Sequence, residues 1–144
     1  MRLWHYKLLS YLPDAQFKGQ LRELVAIMKQ WRDTGKTNHL LINRVMECRK
    51  GALTDYFAGY CLEYKERYGK PVSRDIRCRF KEFSPCLHYP EAPYPNWHDR
   101  TYLRICMANL YEKYMGIGES RITQEEWEVL MYGYEKITGE RYII

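Results

Sequence analysis

Phe17, Leu21, Leu24, Met28 and Trp31 recur at steps of three and four residues, and later stretches of the chain repeat the habit. That spacing lines one face of a helix, whereas a half-buried strand would alternate residue by residue. Pro13-Asp14 opens the first helix, with Asp14 as the expected N-cap, and Gly35 follows as a stop. A second helix is expected from Ala52 to Tyr68, carrying Leu53, Phe57, Tyr60, Tyr64 and Tyr68 on one face and closed by Gly69-Lys70-Pro71. A third runs from about His98 to Met115 with Leu103, Met107, Leu110 and Tyr114 inward. The fourth begins at Thr123, where Thr123 and Glu126 make a capping box ahead of Trp127, Leu130, Met131 and Tyr134.

Between these helices the signals weaken. Asn38 to Arg49 is apolar but short, and fits an extended segment or a helical turn equally. Ser84 to Trp97 holds four prolines, which removes the donors a regular ladder needs, so it reads as a loop or arm. No strand pattern, repeat or linker interrupts the chain. The expectation is a mainly α, compact single-domain fold over residues 1–144, of about four helices with long irregular loops.

The 144 residues suffice for a real core. Fourteen Tyr and four Trp against four Phe are the unusual entry, since these rings suit cores, wet interfaces and base stacking alike. A net charge of +5 favours a polyanionic partner. Five cysteines without a CxxC pair read as free thiols of a reducing compartment. Cys78, Cys86, His88 and His98 match no zinc spacing, so no metal or other cofactor is expected. No apolar run reaches membrane-spanning length, and Met1–Leu9 has no signal-peptide pattern, which points to the cytoplasm.

The chain starts MRLWHYKLL, apolar and aromatic where most termini are polar and mobile. Burying Leu3, Trp4, Leu8 and Leu9 would fix residue 1 in space. On the first helix Lys18, Arg22 and Lys29 fall along one flank, and Gln16, Gln20, Glu23 and Gln30 on the other side of the exposed arc. As sequence neighbours, Arg22 and Glu23 do not face each other, so each answers to something outside the helix. By pattern alone a basic flank beside one carboxylate is a solvated face.

The segment LLSYLPDAQFKGQLREL resembles the start of the pyrimidine-dimer DNA glycosylase family, the small phage-type endonuclease V enzymes. The family has Leu, Ser, Leu and Asp at the positions of Leu8, Ser10, Leu12 and Asp14, then Arg-Glu-Leu at Arg22-Glu23-Leu24 in one ungapped register. The run from His98-Asp99 through Ala108, Leu110, Glu112 and Lys113 resembles the family's late helix.

The resemblance implies a DNA repair glycosylase with abasic-site lyase activity, acting on damaged double-stranded DNA as a monomer without a cofactor. In the family the terminal α-amine attacks C1′, displaces the base and forms an imine, and β-elimination then cuts the strand. Carried onto this chain, Met1 supplies the amine and Glu23 the catalytic carboxylate, with Arg2, Arg22, Lys18, Lys29 and Lys113 gripping phosphates. An α-amine, with a reference pKa of about 7.7–8.0, is partly neutral near pH 7, and a carboxylate opposes the charge of an oxocarbenium or iminium ion. The chain departs from the family at its start, Met-Arg for Met-Thr-Arg, and at Gln16, Ala26 and Asn109, where the family carries a histidine and two basic residues. The competing expectation is a helical nucleic-acid-binding or interaction module that keeps the scaffold without the chemistry.

Overall fold

All four expected helices form in the computed structural model, which describes residues 2–35, 40–81, 93–116 and 121–144, and two short ones join them. After a 3-10 turn at Tyr6–Leu8 come α1 (Asp14–Asp33), α2 (Leu40–Met46), α3 (Lys50–Tyr68), α4 (Arg74–Phe80), α5 (Arg100–Tyr114) and α6 (Gln124–Thr138). The described residues contain no strand, and none of their helices is long and apolar enough to cross a membrane. The described residues make an all-helical fold, with six α-helices rather than about four. Leu40–Met46 resolves the ambiguous apolar stretch as helix. Ser73, whose hydroxyl accepts from the Ile76 N–H at 3.4 Å, starts α4 where the sequence had suggested only the end of the preceding helix.

Helix ends follow their local chemistry. Thr123 and Glu126 form the expected capping box, with reciprocal bonds of 2.9 and 3.2 Å. Asp99 caps α5 by accepting from the Tyr102 N–H at 2.8 Å. Gly69 ends α3 at φ +68°, a left-handed conformation that costs glycine no Cβ clash. Asp14 departs from expectation. Pro13 occupies the N-cap position, and the Asp14 carboxylate instead accepts from the Tyr68 hydroxyl and pairs with Lys18 at 3.0 Å.

Tyrosine joins α1 to α3. The Tyr60 ring stacks on Phe17 with centroids 4.4 Å apart, and its hydroxyl donates to the Phe17 carbonyl at 2.7 Å. The Arg67 guanidinium covers the Phe17 ring at 4.1 Å and donates to the Leu9 carbonyl at 2.9 Å. These rings fill core volume and also satisfy buried backbone acceptors, a service phenylalanine cannot supply. Phe80 stacks on Phe57 at 3.8 Å and so fastens α4 to α3. On the other side α5 packs on α6, where Trp127 lies against Tyr111 and Tyr114. Helix α6 also meets the 3-10 turn, and at Gly133 a Cβ would lie 2.6 Å from Tyr11 Cδ2, so only a hydrogen fits there.

Candidate active site

Residues 2–9 run through the core without forming helix or strand until Tyr6, so their backbone groups need side-chain partners. Gln20, completely buried, supplies two: its Nε2 donates to the Arg2 carbonyl at 2.8 Å and its Oε1 accepts from the Trp4 N–H at 2.8 Å. The Tyr56 hydroxyl donates to the Trp4 carbonyl at 2.6 Å, and the Tyr102 hydroxyl donates to the Leu3 carbonyl. His98 Nδ1 accepts from the Tyr6 N–H at 3.1 Å. Leu3, Trp4, Leu8 and Leu9 are buried between these anchors, as the apolar opening of the chain suggested. Three helices and the turn before α5 thus hold one extended segment.

At the outer end of this cage stands Glu23, one helical turn beyond Gln20 on α1. Its Oε2 accepts from the Arg2 backbone N–H at 2.9 Å, with Gln20 Nε2 at 3.5 Å. Burial pushes the Glu23 carboxyl above its usual range, against the Arg2 N–H and the positive charges of Arg2 and Arg22. A carboxyl balanced between desolvation and cations can stabilise positive charge and also exchange protons.

Glu23 lines a hollow of about 250 Å³ together with Arg2, Trp4, Gln20, Arg22 and Lys113. The Arg2 guanidinium sits 4.9 Å over the Trp4 ring, and its Nη1 is buried without a hydrogen-bond partner among the described residues. An unsatisfied guanidinium nitrogen beside Arg22 and Lys113 makes one wall of the hollow receptive to an anion. Gln16 and Gly19 also line it; glycine leaves the floor open, with the Arg22 guanidinium 3.5 Å from where a Cβ would stand. A larger hollow of about 650 Å³, between the 3-10 turn and α3, contains neither Arg2 nor Glu23, and its Glu63 is committed to Arg67 at 2.9 Å.

Of the residues singled out from sequence, Arg2, Arg22, Glu23 and Lys113 come together, although Lys113 is 90 positions from Glu23. Lys18 is exposed outside the hollow, paired with Asp14 at 3.0 Å and 5.6 Å over the Tyr68 ring. Lys29 is exposed further along α1 and does not line the hollow. Met1 lies outside the described residues, as do Cys86 and His88. Gln16 and Gln20, expected on the exposed arc, are buried, because the N-terminal segment covers that side of α1. Gln20 had been placed only on the exposed arc and His98 only at the start of a helix and in a failed zinc set, while Tyr56 and Tyr102 had drawn no notice; all four hold the segment through backbone atoms far away in the chain.

A family model described as pyrimidine dimer DNA glycosylase matches residues 1–75, from the N-terminal segment through α3 into the start of α4. No curated protein and no solved structure matches the chain.

Proposed function

The chain belongs to the pyrimidine dimer DNA glycosylase family, and from that membership we propose that it excises damaged bases from duplex DNA and cuts the resulting abasic site through its N-terminal α-amine. The observation that carries this reading is the 2.9 Å contact between the Arg2 N–H and Glu23. Residue 1 is attached to that same nitrogen. Covalent geometry keeps its α-nitrogen within about 4 Å of the Arg2 nitrogen, and therefore within about 7 Å of Glu23 Oε2. A deoxyribose C1′ held between the two would meet a nucleophile on one side and a carboxylate on the other.

The neutral amine of Met1 attacks C1′, the C1′–base bond breaks, and the base leaves with a proton. The C1′–O4′ bond then breaks with its electron pair on O4′, which takes a proton from the Glu23 carboxyl, and the iminium left at C1′ faces the resulting carboxylate. A base, the Glu23 carboxylate in this reading, removes a C2′ proton, and the C3′–O bond breaks with its electron pair leaving on the phosphate. Water then hydrolyses the imine and returns the amine. Arg2, Arg22 and Lys113 hold phosphates at the hollow, and Lys18 and Lys29 extend that grip along α1. Should Met1 be removed, the Arg2 nitrogen already against Glu23 becomes the terminal amine.

One added residue at the N-terminus tests the proposal. It converts the reacting amine to an amide while Glu23 and the fold stay unchanged. Cleavage of duplexes carrying a thymine dimer or an abasic site is expected to fall by about 10³-fold or more, with duplex binding retained. Equal cleavage by the native and extended chains would remove the amine from the mechanism. Salt-dependent binding without cleavage by either chain would leave a binding module.

A further inference from the structure

Residues 70–81 hold Lys70, Arg74, Arg77, Arg79 and Lys81 against the single acid Asp75, so +4 of the chain's net +5 resides there (Glu82, next along, lies outside the described residues). The five cations are exposed. Elsewhere Lys18, Arg32, Arg67 and Arg100 sit in ion pairs with Asp14, Asp33, Glu63 and Glu140. The side chains of Lys70, Arg74, Arg79 and Lys81 form no ion pair or hydrogen bond among the described residues, and that of Arg77 makes one bond, Nε to the Val72 carbonyl at 2.9 Å. Such concentration of unneutralised charge repels itself, so it calls for an anionic partner.

The strip is separate from the Glu23 hollow, which none of its residues lines. Phe80 stacks on Phe57, one residue from Tyr56, which faces α1, so α4 lies about 100° around α3 from that contact. Its main cations lie beyond residue 75, where the family match ends.

We propose that this strip is a second DNA-binding surface, gripping the phosphates of duplex outside the reacting nucleotide. Two features select a nucleic acid over an acidic protein. None of the large exposed apolar side chains, which include Leu62, Ile105 and Tyr132, belongs to the strip, whereas protein interfaces centre on apolar or aromatic anchors. The spacing also suits a regular polyanion. Arg74, Arg77 and Lys81 share one face and span about 10 Å along the helix axis, the rise of about three phosphates on one strand.

The test uses undamaged duplex, so its outcome does not depend on the lyase reading. Affinity is measured against salt concentration for the native chain and for the triple variant Arg74→Gln/Arg79→Gln/Lys81→Gln. This variant spares the Arg77–Val72 bond that supports α4. The slope of log K against log salt is expected to shrink by about 2, for the Arg74 and Lys81 contacts on the shared face, since each phosphate contact contributes about 0.9. Cys78, exposed between Arg77 and Arg79, gives a second readout that needs no variant. Saturating duplex is expected to slow its alkylation by a maleimide, with buried Cys106 as the inert reference. An unchanged slope, or Cys78 alkylated equally fast with and without DNA, would overturn the proposal and leave the strip to an acidic protein. A reduced slope in a chain that cuts no lesion would uphold it while removing the lyase reading.

Discussion

Glu23→Gln is expected to lower strand cleavage at an abasic site by about 10³-fold, equivalent to about 4 kcal/mol of lost transition-state stabilisation. Glutamine has the same shape, and its amide oxygen can still accept the Arg2 N–H that the native carboxylate holds at 2.9 Å. What disappears is the negative charge opposite the iminium and the capacity to exchange a proton. The melting temperature is therefore expected to move by only a few degrees, and affinity for duplex to hold or rise, since one repulsive charge has left a cationic hollow. Burial raises the Glu23 carboxyl above its ordinary range, so the Glu23 step in the acid limb of the native pH–rate profile is expected above the normal glutamate region and to vanish in the variant, which keeps only the limb set by the amine. Single-turnover cleavage across pH, set beside calorimetry, reads all three quantities. Retained cleavage by a folded Glu23→Gln chain would contradict the assigned role.

The second large effect is acid lability. His5 and His98 are buried and their rings stack 5.2 Å apart. Burial lowers the His5 pKa from 6.5 to about 4, partly opposed by bonds to the His98 and Asp99 backbone. Burial holds His98 lower still, and the charge that His5 would acquire pushes in the same direction. His98 accepts the Tyr6 N–H at Nδ1, so the neutral ring carries its proton on Nε2, which is buried without a partner among the described residues. An imidazolium at either position would face desolvation and its neighbour's charge.

The folded pKa values lie below the unfolded value, so unfolding takes up protons in acid. The stability is fully present above about pH 6.5 and falls as pH drops toward 4, approaching about 2.7 kcal/mol per pH unit when two protons are involved. Between pH 7 and 4.5 the loss is about 5 kcal/mol, comparable with the whole stability of many domains. Losing the His98 acceptor also frees Tyr6, so cleavage should fail along with stability. Urea midpoints measured against pH check the slope, and His98→Gln is expected to flatten it. Constant stability from pH 7 to 4.5 would contradict the neutral pair.

Three- and four-residue apolar spacing made α1, α3, α5 and α6 legible, because packing against a core imposes the helix period on the chain. The capping box at Thr123 and the stop at Gly69 were equally readable, being local chemistry with local partners. Helices α2 and α4, seven residues each, are too short for periodicity to separate them from loop. Glu23 and Lys113 were singled out because their positions resemble a family pattern, and they meet at one hollow. Gln20 illustrates what stayed hidden. A helical wheel assigns it to solvent, but the N-terminal segment covers that side, and the amide spans the Arg2 carbonyl and the Trp4 N–H. Nothing in Gln20's neighbours announces a partner 16 or 18 residues earlier.

Borohydride reduction during reaction with an abasic duplex, followed by proteolysis and mass measurement of the adduct, reports which nitrogen of the protein forms the imine. A covalent protein–DNA product is expected, with its added mass on the α-nitrogen of the N-terminal peptide, Met1 or, after its removal, Arg2. No trapped product, or an adduct on the Lys113 side chain, would contradict it.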